Sequence, residues 1–305
     1  MLPILSIVHP LVDACSLCVL MAGGMSWERV LAYNFIAFAL QLPMGVALDA
    51  RPGAMRAVFA AGTGLVCVCA LAAAFGARGW CVLAAACLGN ALFHLSAGKH
   101  VLDVHRGRSG PIGLFISTGA LGLLAGRLGM EHCAAAALPS FAVALAACAL
   151  AASTMHGWRA AHAAAMHPVR GGCIPSRLAA ACVLAGLFAL VAWRSRVGLE
   201  AHYLTLSAGA AMMFAGAAAT WLGKVAGGYL AEIAGRWRVL AASVCASALL
   251  AWGTSPDCMP AWLATLLVAQ LATGPALSLV YDMMGRRGGS AFGLNCLGLF
   301  AGSVA

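Results

Sequence analysis

Charge is what this sequence has least of. Only 9% of its 305 residues are Asp, Glu, Lys or Arg, against roughly 25% in soluble domains, and 63% are hydrophobic. A water-soluble globule is excluded, and the mean hydropathy of +0.94 assigns the chain to a bilayer. The apolar runs lack the two-residue alternation of a membrane barrel, so the spans are helical. The polar breaks between them are short, which leaves no room for a large soluble domain. No HExxH, no GxSxG and no pair of intramembrane aspartates occurs, so the chain is expected to be no enzyme, with no catalytic residues, no metal site and no cofactor. No basic residue precedes the first apolar run, and His9 and Asp13 interrupt it, which argues against a signal peptide. Cys15-Ser-Leu-Cys18 has no second CxxC pair to complete a redox or metal framework, and the other cysteines are scattered through apolar runs as small hydrophobes. The net charge of +9 would suggest nucleic acid in a soluble protein; here the basic residues sit in loops, and nucleic acid is not an expected partner.

What is present is a series of apolar runs of about 20 residues. They predict helices over 4–24, 28–48, 55–76, 80–98, 111–129 and 136–156, then 178–198, 205–230, 238–253, 261–281 and 290–305. The domains expected are therefore an N-terminal six-helix half (1–156), a polar linker (157–177) and a C-terminal half (178–305) with five helices. On one side of the membrane fall Arg51, Arg56, Lys99, Arg106, Arg108, Arg159, Arg170, Arg177, Arg236, Arg238, Arg286 and Arg287; on the other fall Arg29, Arg78, Arg127, Arg194 and Arg196. The richer side is predicted to be cytoplasmic, with the amino terminus and linker inside and the chain multi-pass in the cell's inner membrane.

One charged turn occurs twice. Gly45-Val-Ala-Leu-Asp49-Ala-Arg51-Pro-Gly53-Ala-Met-Arg56 follows the second helix, and Gly228-Tyr-Leu-Ala-Glu232-Ile-Ala-Gly235-Arg236 follows the eighth. The Asp103 to Pro111 stretch pairs in the same way with Asp282 to Ser290. The offsets are 183 (228 minus 45) and 179 (282 minus 103), so two halves run parallel, and the counterpart of residues 127–156 would be a twelfth helix absent from this chain.

Two six-helix halves, a linker and G-xxx-D-x-R-x-G turns after helices two and eight resemble the major facilitator superfamily of transporters. More narrowly, His9-Pro-Leu-Val-Asp13, Gln41-Leu-Pro-Met-Gly45 and Gly89-Asn90-Ala-Leu-Phe93-His94 are similar to its fosmidomycin-resistance branch, though His94 is followed by Leu95-Ser96 where that branch has proline and an acid. The resemblance implies an all-α, major-facilitator-like fold of two pseudo-symmetric halves, with helices one, four, seven and ten lining a central cavity.

Ionisable groups within spans are costly, at least about 2.5 kcal/mol each, which favours a bundle-facing role. His9 and Asp13 share a face of helix one and could exchange a proton or hold a cation; Asn90 and His94 share a face of helix four. With Gln270 of helix ten they form the candidate proton-coupling or substrate set. Asn34, Gln41, Ser117, Thr118, Thr273 and Asn295 are read as interhelical contacts, and Lys224 as reaching the cytoplasmic surface. The turns predict a cytoplasmic gate made of Gly45, Asp49, Arg51, Gly53, Arg56, Gly228, Glu232, Gly235 and Arg236, in which Asp49 meets the start of helix eleven and Glu232 that of helix five. Together these predict a monomeric secondary transporter of a small molecule by alternating access, coupled to a proton and suited to efflux. The competing expectation is a truncated or transport-incompetent relative acting as a membrane scaffold or sensor.

Overall fold

The computed structural model describes residues 1–158, 177–207, 209–253 and 258–305, and these are helical with no strand among them. Most of the predicted linker, residues 159–176, lies outside the described residues. Numbered in chain order, the helices are α1 (Leu2–Ala22), α2 (Trp27–Ala50), α3 (Pro52–Ala74), α4 (Trp80–Val104), α5 (109–132) and α6 (134–154), α7 (Arg177–Ser207), α8 (Ala210–Ala234), α9 (Arg236–Gly253), α10 (Met259–Met283) and α11 (Gly288–Val304).

Seven stretches among the described residues are long and apolar enough to cross a membrane, and one of them, Ser109–Thr154, is 46 residues long, twice the length of a single crossing. It breaks at Cys133 (φ −146°, ψ 48°). A methyl group on Gly129 would lie 2.9 Å from the Ala137 side chain, so the chain doubles back there and gives α5 and α6. The sequence ends the seventh span at 198, yet α7 runs on to Ser207. The polar Arg194-Ser195-Arg196 does not stop it, because Arg194 is only 4% exposed and the Ser195 hydroxyl donates to the Leu299 carbonyl of α11.

The duplication is visible in the backbone. At the end of α4, Gly107 N–H donates to the Leu102 carbonyl (2.8 Å) and Arg106 N–H to Asp103 (3.3 Å). At the end of α10 the same two bonds recur, Arg286 to Tyr281 (2.8 Å) and Gly285 to Asp282 (3.1 Å). Each turn holds one glycine and one arginine at positive φ, in opposite order: Arg106 (53°) then Gly107 (69°), and Gly285 (67°) then Arg286 (63°). This left-handed ending satisfies the last helical carbonyls.

The halves meet through α2 against α11 and α5 against α8. Both contacts need residues without side chains. A methyl group on Gly228 would lie 2.6 Å from the Ser109 carbonyl oxygen, and one on Gly113 would lie 2.6 Å from that of Lys224. Gly228→Val should cost about 1–3 kcal/mol through forced separation of α5 and α8. A lower melting temperature of the purified protein checks this, and melting with the wild type would contradict it.

Candidate functional site

Two polar constellations lie on these helices. The first is buried where α1, α4 and α5 meet. His9, Asp13, Asn90 and His94 all come together there, each no more than 8% exposed. The Asn90 amide donates to Asp13 Oδ1 (3.2 Å) and to Ser16 Oγ (3.1 Å). Asp13 Oδ2 lies 3.2 Å from His9 Nε2, and its Oδ1 lies 3.3 Å from His94 Nε2.

The proton positions on both rings follow from their other nitrogens. His9 Nδ1 is 2.7 Å from the Phe115 carbonyl and His94 Nδ1 is 2.9 Å from the Asn90 carbonyl. A carbonyl only accepts, so both Nδ1 atoms carry hydrogen and both Nε2 atoms are lone pairs in the neutral rings. Those two Nε2 atoms lie 2.8 Å apart. Two facing lone pairs repel, so a proton between them would stabilise this contact above the Asp13 carboxylate.

Local structure makes the room. The Phe115 carbonyl would ordinarily accept from Gly119 N–H, but α5 is broken at Thr118, whose hydroxyl donates back to Phe115 (2.9 Å). That carbonyl is thereby left open to His9. Gly119 comes next, and a side-chain carbon there would collide with Asp13 Oδ2 and His9 Nε2. Gly119→Ala should therefore disrupt the cluster without changing any titratable residue. A lower melting temperature of the purified protein with retained expression is the expected result; melting with the wild type would show that the cluster tolerates displacement.

His9, Asp13 and His94 can also present three ligand atoms within 4.8 Å of one another, a set able to hold a transition metal. Two nitrogens on a tetrahedral zinc at about 2.0–2.1 Å stand roughly 3.3 Å apart. The 2.8 Å separation fits a shared proton better. Gln270 does not join this group. Its Oε1 accepts from Arg194 Nη1 (2.8 Å) and Thr273 Oγ1 (3.0 Å), at the break in the middle of α10.

The second constellation closes the basic end of the bundle. Asp49 caps α11: Gly289 N–H donates to Oδ1 (2.9 Å), while Ser290 N–H (2.7 Å) and its hydroxyl (2.6 Å) donate to Oδ2. An acid at a helix amino terminus meets unpaired N–H groups and the positive end of the dipole. Glu232 does the same for α5 through Gly110 N–H (2.9 Å), and Arg108 Nη2 holds its other oxygen (2.5 Å). Gly45 lies against Gly289, Gly228 against Ser109, and Gly235 ends α8 at φ 95°. Arg236 pairs with Asp282 (2.6 Å). Arg51 and Gly53 sit at the turn and Arg56 in the first helical turn that follows, and no ion pair among the described residues involves Arg51 or Arg56.

Their place is taken by Lys99 of α4, which the sequence marks only as a topology residue. Its Nζ donates to Asp49 (2.7 Å) and Asp103 (2.8 Å), with all three side chains at most 10% exposed. Lys99 and Asp103 stand one helical turn apart, a spacing that could have flagged them. The counterpart pair is exposed, with the Arg108 side chain 63% accessible. His105 beside it is held below the ordinary histidine value, first by burial and then by Arg108 and the chain's amino terminus, with Glu232 opposing. It stays neutral at pH 7, and only acidification would place a second cation next to Arg108.

The fold is thus that of a major-facilitator transporter, an all-α bundle of two similarly folded halves. No protein-family model matches this sequence, and neither does any curated protein. Among solved structures it is similar to the human organic anion transporter MFSD10 (TETRAN), with a TM-score of 0.64 and 17% identity over 99% of this chain and 91% of the other. A similar likeness is found to the transporter FucP in the outward conformation, with a TM-score of 0.62 and 14% identity over 99% and 89% of the two chains. A bacterial homologue of the iron transporter ferroportin in its outward-facing state gives 0.51 and 16% over 99% and 90%. At these identities the likeness concerns the fold.

Proposed function

We propose that this chain is a secondary transporter of a small solute, working by alternating access, with a coupling proton carried by the His9–His94 pair over Asp13. The observation that supports this is the 2.8 Å contact between the two Nε2 atoms, which an exchangeable proton in the bundle interior would stabilise. Withdrawing it leaves two lone pairs and a carboxylate in apposition, so deprotonation drives α1 and α4 apart at this point. Proton occupancy thereby biases helix packing, which a coupled transporter requires.

In this reading the halves 1–156 and 178–305 rock about the linker, the basic end faces the cytoplasm, and the Asp49 and Glu232 contacts hold that end shut. These contacts form only when the cytoplasmic ends are together, so they favour an outward-open state. The transporter acts as a monomer in an inner membrane, suited to efflux. Two tests bear on this. Proteoliposomes with a pH-sensitive dye sealed inside should show proton movement on addition of a transported solute. Solute flux indifferent to a pH gradient would overturn the coupling, and no flux across a broad solute panel would favour a scaffold or sensor.

A further inference from the structure

The C-terminal half carries two cations away from the ends of the bundle. Arg194 of α7 is 4% exposed; its Nη1 donates to Gln270, and its Nε is buried with no hydrogen-bond partner. Lys224 of α8 is partly buried, and its Nζ donates to the Ile116 carbonyl of α5 at 3.2 Å, three residues before the Gly119 that covers the histidine pair. It does not run out to the basic surface as the sequence suggests. Neither forms an ion pair with any described residue. The two meet at Gln270, which accepts from Arg194 and packs against α8 beside Lys224: a methyl group on Gly223 would lie 2.7 Å from the Gln270 Cβ.

Asp13 cannot serve as their counter-ion. Its oxygens are taken up by both rings and by Asn90, and in the reading above it balances the proton shared by His9 and His94. The other acids with described side chains lie at the two ends of the bundle, at positions 28, 49, 103, 131, 232 and 282. Among the described side chains the mid-bundle charge therefore sums to two positive groups without an acid, one with a buried donor left open. Cations held inside the bundle by neutral groups alone are costly, and their retention points to an anion that comes and goes.

We infer that the transported solute is a small organic anion, a carboxylate or sulfonate, whose acidic group is received by Arg194 and Lys224, with Gln270 holding the Arg194 guanidinium in place. The planar guanidinium suits a two-oxygen anion, and the lysine supplies a second point charge from the facing helix. This inference rests on the transport reading above and adds the substrate class to it.

The test uses the full purified chain in detergent and compares melting temperatures with acetate, succinate, benzoate or benzenesulfonate against the corresponding neutral amides at matched ionic strength. A ligand that binds the folded state raises its melting temperature, by an amount that grows with the logarithm of its concentration over Kd. At least one anion should stabilise the protein more than its amide does. Arg194→Gln and Lys224→Gln should each weaken that response about 10- to 100-fold in concentration, as expected for a lost charge-assisted bond. If no anion in the panel outperforms its amide, or if the response survives in the Arg194→Gln/Lys224→Gln double variant, the inference falls. The wild-type comparison stands even if the variants fail to fold. An anion response without proton-coupled flux would keep the substrate class and sink the coupling; coupled flux of neutral solutes without an anion response would do the reverse.

Discussion

Asp13→Asn is expected to abolish proton-driven accumulation while leaving solute exchange across the membrane in place. In the proposed mechanism the carboxylate balances the one positive charge that the two imidazoles share, at 3.2 and 3.3 Å from their Nε2 atoms. Asparagine keeps the shape and removes the charge. Breaking a buried ion pair by removing one partner costs about 3–5 kcal/mol, and every 1.4 kcal/mol is a factor of ten in an equilibrium. Loss of the shared proton should therefore be nearly complete. Gly119 and Thr118 still admit His9 to the Phe115 carbonyl, so the fold survives. The measurement is accumulation in proteoliposomes with and without a pH gradient, beside counterflow of the same solute with no gradient. Unchanged accumulation would remove Asp13 from the coupling.

Lys99→Met should produce the largest change in conformation. It leaves Asp49 and Asp103 as two buried carboxylates that lose the cation between them, in side chains no more than 10% exposed. The same 3–5 kcal/mol scale applies, enough to shift a two-state equilibrium by roughly two to three orders of magnitude toward the state in which the basic end opens. Asp49→Asn should act in the same direction by weakening the cap on α11. Arg108→Ala should have a smaller effect, because Arg108 is largely in solvent and such pairs are well screened. Spin labels at Arg51 and Arg287, both exposed, with the native exposed cysteines replaced, would report the α2–α11 distance. A distance distribution unchanged by Lys99→Met would reduce this cluster to a packing feature.

The two constellations differ in how far sequence could reach. Asp49 and Glu232 were readable because their turns occur twice, and because a serine or glycine start of a helix tells an acid where it belongs. Their cation was not. Lys99 lies 50 residues from Asp49 along the chain, and only the packing of α2 beside α4 and α11 brings it there. Arg194 was obscured for a different reason. An Arg-Ser-Arg tripeptide has the composition of a loop, and only the contacts with Gln270 and Leu299 keep it helical and inside. His9 with Asp13, and Asn90 with His94, could each be placed on one face of a helix by their four-residue spacing.

The sequence by itself determined that this chain is a helical membrane protein, built twice over, with an acidic cap at each duplicated turn. Those properties follow from local quantities: apolar length, spacing along one helix and repetition. Tertiary structure alone decided that the two histidines face each other at 2.8 Å with Asp13 beneath them, that Lys99 takes the place of the turn arginines, and that Arg194 and Lys224 have no acid beside them among the described side chains. Each of these is a relation between helices far apart in the chain, and short-range attraction between charges or donors acts only once packing has set their distance.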